Sequence, residues 1–213
     1  SYSLEKLMWV RDHEPDVFRQ TDKALCAKDF INLRLTGELA TDYSDASGTN
    51  AFDLNRFCWS TQVLELAELD LRLFPPARPS TDILGTVTPD AAAATGLRAG
   101  TPVAVGGGDG SCAGVGVGCV KPGSRENGTG SDQDDRCLSH FSYGAYNYLG
   151  SSSWIAVTVD TPLVDPQMRT MNWAHCVPGY LHPSGTMQAA GSSYHWLKET
   201  VCTLEQRQAL ETE

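Results

Sequence analysis

The sequence has no excess of basic over acidic residues, no long apolar run and no closely spaced cysteine pair. Its 16 Lys and Arg residues are outnumbered by 26 Asp and Glu residues, which argues against nucleic-acid binding because that function needs a basic footprint. No apolar run is long enough to span a membrane, and no signal peptide is visible. The seven cysteines are widely spaced without a C-x-x-C pair, which favours a reduced, cytoplasmic protein over a disulfide scaffold.

The composition is that of a globular protein with a packed core. Of the 213 residues, 41% are hydrophobic and 20% are charged, which are ordinary values for a folded domain. The length is sufficient for one large domain or for parts of two. The sequence starts with Ser1 rather than methionine, and both of its ends lie in stretches with a helical residue pattern, so we expect a fragment.

Residues 101–118, TPVAVGGGDGSCAGVGVG, combine a short strand, three glycines and one carboxylate, Asp109. A small-residue helix is predicted to follow, which places Asp109 where open α/β sheets present ligand-binding groups. The glycines let a substrate approach the backbone. A glycine-rich turn with a solvated aspartate is an equally open interpretation. The stretch lacks both the G-x-G-x-x-G order and the P-loop lysine, so neither nucleotide motif applies.

Apolar spacing, capping residues and helix-stop glycines predict the remaining elements. Residues 41–50 are predicted to be a polar loop, and Asp42 and Asp45 within it to be capping carboxylates rather than a metal pair. Trp9, Met8, Trp196 and Leu197 are predicted to lie in the core. Helices are predicted from residue 4 to before residue 15 and over 27–35, 61–67, 88–96 and 191–201, and strands over 83–87, 145–150 and 153–159. Cysteines and histidines at 119, 137, 140, 175, 176 and 182 match no zinc pattern.

Three stretches resemble the FGGY family of carbohydrate kinases, in the family's order. SYSLEKLMWVRDH (1–13) matches its first signature, 28–49 is similar to the following stretch of the xylulose kinase branch, and GGGD matches its catalytic segment. The resemblance implies an α/β actin-like (ribonuclease H-like) ATPase fold. It also implies transfer of the γ-phosphate of ATP to a sugar hydroxyl with Mg²⁺, in a cleft between two domains.

The resemblance also implies roles for individual residues. Asp109 is the expected catalytic base and sugar contact, facing a phosphate loop across the cleft. Gly110, also a sugar-binding position, departs from the amide that relatives commonly carry, which puts sugar affinity in question. The expected nucleotide-binding residues are Gly150, Ser151, Ser152, Gly191 and His195. The residues alone favour an ordinary serine-rich hairpin turn at 150–153, and only the resemblance favours a phosphate loop there, whereas His195 is equally a surface histidine.

By the same resemblance, residues 1–100 are the C-terminal part of the sugar-binding domain and 101–213 begin the nucleotide-binding domain. Residues 124–143 are an expected disordered insertion. The family's first phosphate loop is missing, so we expect this chain to be inactive alone. The expected partners are a sugar, a pentulose such as xylulose, and ATP, with a homodimer of the whole protein left open. The alternative is a non-catalytic sugar- or nucleotide-binding regulatory protein of the same fold.

Overall fold

The computed structural model describes residues 2–120 and 144–212, and the expected insertion at 124–143 lies outside them. The α-helices are α1 (Ser3–His13), α2 (Pro15–Gln20), α3 (Ala27–Thr36), α4 (Tyr43–Ser47), α5 (Thr61–Leu66), α6 (Pro89–Thr95), α7 (Asp109–Gly116), α8 (Gly191–Thr200) and α9 (Leu204–Thr212). The strands are β1 (Thr41–Asp42), β2 (Phe52–Asp53), β3 (Cys58–Trp59), β4 (Ala77–Arg78), β5 (Ile83–Thr86), β6 (Pro102–Ala104), β7 (Ala145–Leu149), β8 (Ser153–Val157) and β9 (Ser184–Met187).

Local capping explains where several helices begin and end. The Ser60 side chain accepts a hydrogen bond from the third residue of α5, and the Thr88 side chain does the same for α6. Gly37 and Gly96 end α3 and α6 with φ angles of 78° and 77°, a left-handed conformation that glycine adopts without strain. The helices predicted from these signals are confirmed.

The strands form several small sheets. β1 pairs in parallel with β4, whereas β5 and β6 form an antiparallel pair that leads into the glycine-rich turn. β7, β8 and β9 form one antiparallel sheet. The predicted strands over 145–150 and 153–159 are confirmed as the β7–β8 hairpin.

The main core packs α1 against α5 and the loops around them. Its buried residues include Leu4, Leu64, Leu73 and Phe74, and Met8 packs against them as predicted. The prediction was wrong for three other residues, since Trp9 is 53% exposed, Trp196 is 61% exposed and Leu197 is 47% exposed. Trp9 instead stacks on His13. Helical spacing alone does not say which helix face packs inward.

One loop joins the two halves of the described chain. The backbone N–H of Ala174 donates to the Ser47 hydroxyl in α4 at 3.0 Å, and the Ser111 hydroxyl in α7 donates to the Ala174 carbonyl at 3.2 Å. The segment before β9 therefore crosses the ends of α4 and α7. Within the described ranges, no helix combines the length and apolar character needed to cross a bilayer.

Candidate active site

Asp109 is the first residue of α7 and follows β6 and the glycines, as predicted. Its side chain is exposed, and its Oδ1 accepts a hydrogen bond from the N–H of Gly110 at 2.8 Å. Asp109 nevertheless lines a cavity of about 240 Å³. It is therefore a solvated carboxylate at the mouth of a cavity, which combines features of both interpretations left open by the sequence.

Both polar groups and aromatic rings line this cavity. Asp45, Gly108, Asp109 and Gly110 lie on the side formed by α4 and α7. The opposite side is formed by residues from the β7–β9 sheet and the loop before it: Tyr146, Trp154, Trp173, His182, Ser184 and Thr186. Aromatic faces with a few converging polar groups are typical of small-molecule sites.

A buried hydrogen-bond chain supports the turn that carries Asp109. The N–H of Gly108 donates to the Ser44 hydroxyl at 2.9 Å, and that hydroxyl donates to Asp42 Oδ2 at 2.5 Å. The Ser80 hydroxyl also donates to Asp42 Oδ2, at 2.8 Å. The Asp42 side chain is fully buried and accepts from the backbone N–H groups of Ser44 and Asp45. The prediction that Asp42 is a capping carboxylate is confirmed.

Lys28 neutralises part of a buried acidic cluster beside this chain. Its Nζ lies 2.7 Å from Asp29, 3.2 Å from Asp42 and 3.5 Å from Asp45. Burial opposes its charge, but the hydrogen bond to Asp29 and the charges of Asp42 and Asp45 raise the pKa of Lys28 to about 12. One cation therefore lies beside three carboxyl groups in this cluster.

Asp45 is the carboxylate of this cluster that faces the cavity. Burial, followed by the charge of Asp42, raises the pKa of Asp45 to about 6. Asp45 is not the helix cap that the sequence predicted, because the cap is Asp42 and Asp45 donates its backbone N–H to it. Asp45 therefore adds a second cavity acid that the sequence did not identify.

Tyr146 joins the two walls of the cavity. Its hydroxyl donates to the Gly110 carbonyl at 2.6 Å and lies 3.1 Å from His182 Nε2 and 3.4 Å from Trp154 Nε1. Burial lowers the pKa of His182 to about 4, so the ring is neutral at pH 7 and contacts Tyr146 through Nε2. The residue after Asp109 is thus held by the β7–β9 sheet.

The expected nucleotide-binding residues gather at a second, more open cavity of about 660 Å³. Gly150, Ser151, Gly191 and His195 line it together, whereas Ser152 is not among its lining residues. Ser152 instead closes the turn, since its carbonyl accepts from the N–H of Gly150 at 2.8 Å. The structure therefore brings together four of the five positions that the sequence placed here.

The first amides of α8 are already paired. The N–H of Gly191 donates to the Gly150 carbonyl at 2.9 Å and the N–H of Ser192 donates to the Ser151 carbonyl at 3.2 Å. A Cβ at Gly191 would lie 2.6 Å from the Gly150 carbonyl oxygen, so glycine is required for this close contact. Two of the amides at the start of α8 therefore hold the 150–153 turn against this helix.

Asp109 and the serine-containing turn at residues 150–153 (the serine turn) were expected to face each other across one cleft, and this expectation is not met. The two cavities share no lining residue. Two stacked rings lie between them: Trp154, which lines the first cavity, and Tyr148, with centroids 4.2 Å apart. Tyr148 also packs on Gly150, where a Cβ would lie 2.9 Å from the ring. The two cavities are therefore neighbours separated by an aromatic pair.

Metal ligands are not concentrated at either cavity. Among residues 2–120 and 144–212, no group of three or more His, Cys, Asp and Glu side chains could hold a metal ion. Of the cysteines and histidines considered for zinc, Cys137 and His140 lie outside the described residues. Both of the described histidines in this set contact other protein groups: His175 Nε2 lies 2.9 Å from the Cys119 carbonyl and His182 Nε2 lies 3.1 Å from the Tyr146 hydroxyl.

Comparison with known proteins identifies relatives over most of the chain. The model of the N-terminal domain of the FGGY family of carbohydrate kinases matches residues 1–116. Xylulose kinase of Escherichia coli is 34% identical over 195 residues, covering 92% of this chain and 36% of that protein. Autoinducer-2 kinase of Yersinia enterocolitica is 30% identical over 204 residues, covering 95% and 35%. The chain spans about a third of the length of these curated relatives.

Solved structures agree with these matches. The crystal structure of xylulose kinase from Rhodospirillum rubrum superimposes with a TM-score of 0.80 and 31% identity, covering 98% of this chain and 39% of that one. The superposition covers nearly every residue of this chain, so the small sheets and helices described above correspond to about two fifths of that structure.

Proposed function

The chain belongs to the FGGY family of carbohydrate kinases and has its α/β, actin-like fold, and from this premise we propose that it carries part of the active site of an ATP-dependent sugar kinase. The substrate is a sugar hydroxyl, most specifically that of a pentulose such as xylulose. The observation that carries the proposal is the placement of Asp109 at the mouth of the cavity beside Gly110, after a strand and three glycines.

Phosphoryl transfer to an alcohol needs an oriented hydroxyl and a group that takes its proton. Asp109 is suited to that role because its carboxylate is solvent-accessible and its Oδ1 is fixed by the N–H of Gly110. Its second oxygen is then available to a sugar hydroxyl at hydrogen-bonding distance. Trp154 and Trp173 supply flat apolar walls, and Asp45 supplies a second hydroxyl acceptor.

The second cavity is proposed to take the phosphates of ATP. Gly150 and Gly191 bring two backbones into contact there, and Ser151 and Ser192 offer small polar groups beside His195. The proposal for a phosphate-bearing ligand relies on the small side chains and serine hydroxyls of this cavity rather than on the N–H groups of Gly191 and Ser192, which are paired with carbonyls. ATP and its Mg²⁺ would supply the transferred phosphoryl group and charge neutralisation. The Trp154–Tyr148 pair is proposed to mark the boundary between sugar and phosphate.

The domain division is proposed as the sequence suggested it, with residues 1–100 on the sugar side and 101–213 on the nucleotide side. Contacts cross this division, as between Gly108 and Ser44 and between Ala174 and Ser47. The proposed active site therefore draws on both parts. Cytoplasmic location and a homodimer of the whole protein stay predictions.

The 213-residue chain alone is proposed to be inactive. Asp109, the proposed catalytic base, and the turn at residues 150–153 line separate cavities, and an error of about 1 Å in alignment costs roughly 100-fold in rate. The remaining two thirds of the length of the relatives are proposed to bring the sugar hydroxyl and ATP into line.

A chimera tests this proposal. Residues 1–213 replace the matching segment of Escherichia coli xylulose kinase, and ADP production is followed with xylulose and ATP, beside the isolated chain. We expect xylulose-dependent turnover by the chimera and none by the chain. Sugar binding without turnover in a chimera that is folded by circular dichroism would favour the regulatory alternative, and turnover by the isolated chain would contradict the proposed incompleteness.

A further inference from the structure

Two thiols meet directly beneath the turn that carries Asp109. Cys112 Sγ lies 3.9 Å from Cys176 Sγ, although 64 residues separate them in the sequence. Cys112 is exposed on α7, one turn after Asp109, and Cys176 is buried in the loop before β9. Neither residue lines the two cavities assigned above.

Both sulfur atoms also contact Gly107. Cys112 Sγ donates to the Gly107 carbonyl at 3.4 Å, and a Cβ placed on Gly107 would lie 2.2 Å from Cys176 Sγ. The absence of a side chain at position 107 is therefore what allows Cys176 to reach Cys112. A disulfide requires an S–S separation of about 2.05 Å, so the two sulfurs must approach by roughly 2 Å, a movement within the range of side-chain rotation.

We propose that Cys112 and Cys176 form a peroxide-sensitive dithiol, which closes to an intrachain disulfide and ties α7 to the loop before β9. This function is independent of the proposed kinase activity. The solvent accessibility of the two thiols determines which of them reacts with the oxidant first. Cys112 is open to a small oxidant, whereas burial raises the pKa of the Cys176 thiol, so Cys176 reacts as the second, resolving thiol.

The chemistry balances with one hydrogen peroxide for each disulfide. The Cys112 thiolate attacks one peroxide oxygen, the O–O bond breaks, and the departing hydroxide takes the thiol proton to become water, leaving a sulfenic acid. Cys176 sulfur then attacks Cys112 sulfur, the S–S bond forms and the S–O bond breaks. The second hydroxide leaves as water with the Cys176 proton, so two thiols lose two electrons and peroxide yields two waters.

The disulfide acts on the Asp109 turn through Gly107. Because both sulfurs pack on Gly107, drawing them together moves the backbone two residues before Asp109. It also replaces a non-covalent contact between α7 and the Ala174 segment by a covalent one. We therefore expect slower amide hydrogen exchange over residues 107–116 in the oxidised chain.

The experiment uses the 213-residue chain, reduced and then exposed to hydrogen peroxide. Free thiols are counted in denaturant, and the disulfide is mapped by tandem mass spectrometry of a tryptic digest. The variant Cys112→Ser removes the accessible thiol. Cys58→Ser is the matched control because Cys58 is also exposed but lies in strand β3, whose backbone pairs with β2.

We expect the thiol count to fall by two from the seven that the sequence contains, with Cys112 linked to Cys176, and dithiothreitol to reverse it. Cys58→Ser should retain this linkage and Cys112→Ser should lose it. Oxidation of Cys112 to its sulfenic or sulfinic acid while Cys176 stays a free thiol would overturn the proposal. A disulfide that joins other cysteines of the native chain would do so as well.

Discussion

The hydroxyl of Ser44 accepts a hydrogen bond from the backbone N–H of Gly108, the residue immediately before Asp109, at 2.9 Å. Ser44 in turn donates to the fully buried Asp42. A carboxylate that caps α4 therefore also holds, through one hydroxyl, the turn at which α7 begins. The position of the exposed Asp109 depends on this buried polar chain.

The substitution Ser44→Ala is expected to destabilise the chain and loosen this turn. It leaves the N–H of Gly108 without its partner and removes one of the hydrogen bonds that Asp42 Oδ2 accepts, and an unsatisfied buried polar group costs about 1–3 kcal/mol. Urea unfolding measures the loss. Thr101→Ala, which removes an exposed hydroxyl that donates only to a nearby carbonyl, should change stability by less than about 0.5 kcal/mol. Equal losses in the two variants would argue against the Ser44 chain.

The raised pKa of Asp45 predicts a specific pH dependence of stability. An aspartate with a pKa of about 6 in the folded chain and about 3.9 in the unfolded chain binds more protons when folded. Its contribution therefore favours folding at low pH and is lost as pH rises from about 4 to about 6. The side chain in Asp45→Asn does not titrate, so the variant does not lose this contribution to its folding stability as pH rises.

Unfolding free energies of the chain and of Asp45→Asn, measured from about pH 4.5 to about pH 7, check this sign. The stability of the variant relative to the chain should increase by about 2 kcal/mol across that range, since one pKa unit corresponds to about 1.4 kcal/mol. A difference that is constant with pH, or that falls, would contradict the assignment. A carbon-detected NMR titration of the Asp45 carboxyl reports the pKa directly.

Gly110→Asn is expected to fold and to strengthen sugar binding. A Cβ at position 110 would lie 3.9 Å from Trp154, which is an ordinary van der Waals distance, and an amide there would point into the cavity that Asp109 lines. One added hydrogen bond is worth about 0.5–1.5 kcal/mol, or roughly 2- to 10-fold in affinity. Calorimetric titration with xylulose compares the variant with Gly116→Asn, whose position has no neighbour within 4 Å. Unchanged affinity in Gly110→Asn would remove position 110 from the sugar site.

Local signals in the sequence predicted the longer helices and the β7–β8 hairpin, because caps and helix-stop glycines act within a few residues, whereas the two-residue strands β1 to β4 carry no such signal. α4 was missed since YSDAS has the composition of a loop, and the cap from Asp42 is what makes it helical. β9 was missed because SGTM has little β propensity of its own and is a strand through its pairing with β8. Trp196 was misplaced because α8 contributes no buried residue to the described structure, although its apolar side chains predicted a core face.

The candidate site was predictable only where one stretch carries the chemistry, as at Asp109. The cluster of Lys28, Asp42 and Asp45 and the pair Cys112–Cys176 combine residues from separate elements, and no spacing rule connects them. The division of the site into two cavities was also not predictable. It depends on the stacking of Tyr148 on Trp154, which follows from the register of the β7–β8 hairpin.

The proposed role of Asp109 is tested most directly by Asp109→Asn in the xylulose kinase chimera, with the exposed Asp90→Asn as control. Because the substitution removes the proton acceptor and keeps the shape, kcat should fall by about 100- to 10,000-fold. The dissociation constant for xylulose should change little, and Asp90→Asn should retain full turnover. Undiminished turnover by a folded Asp109→Asn chimera would contradict the account.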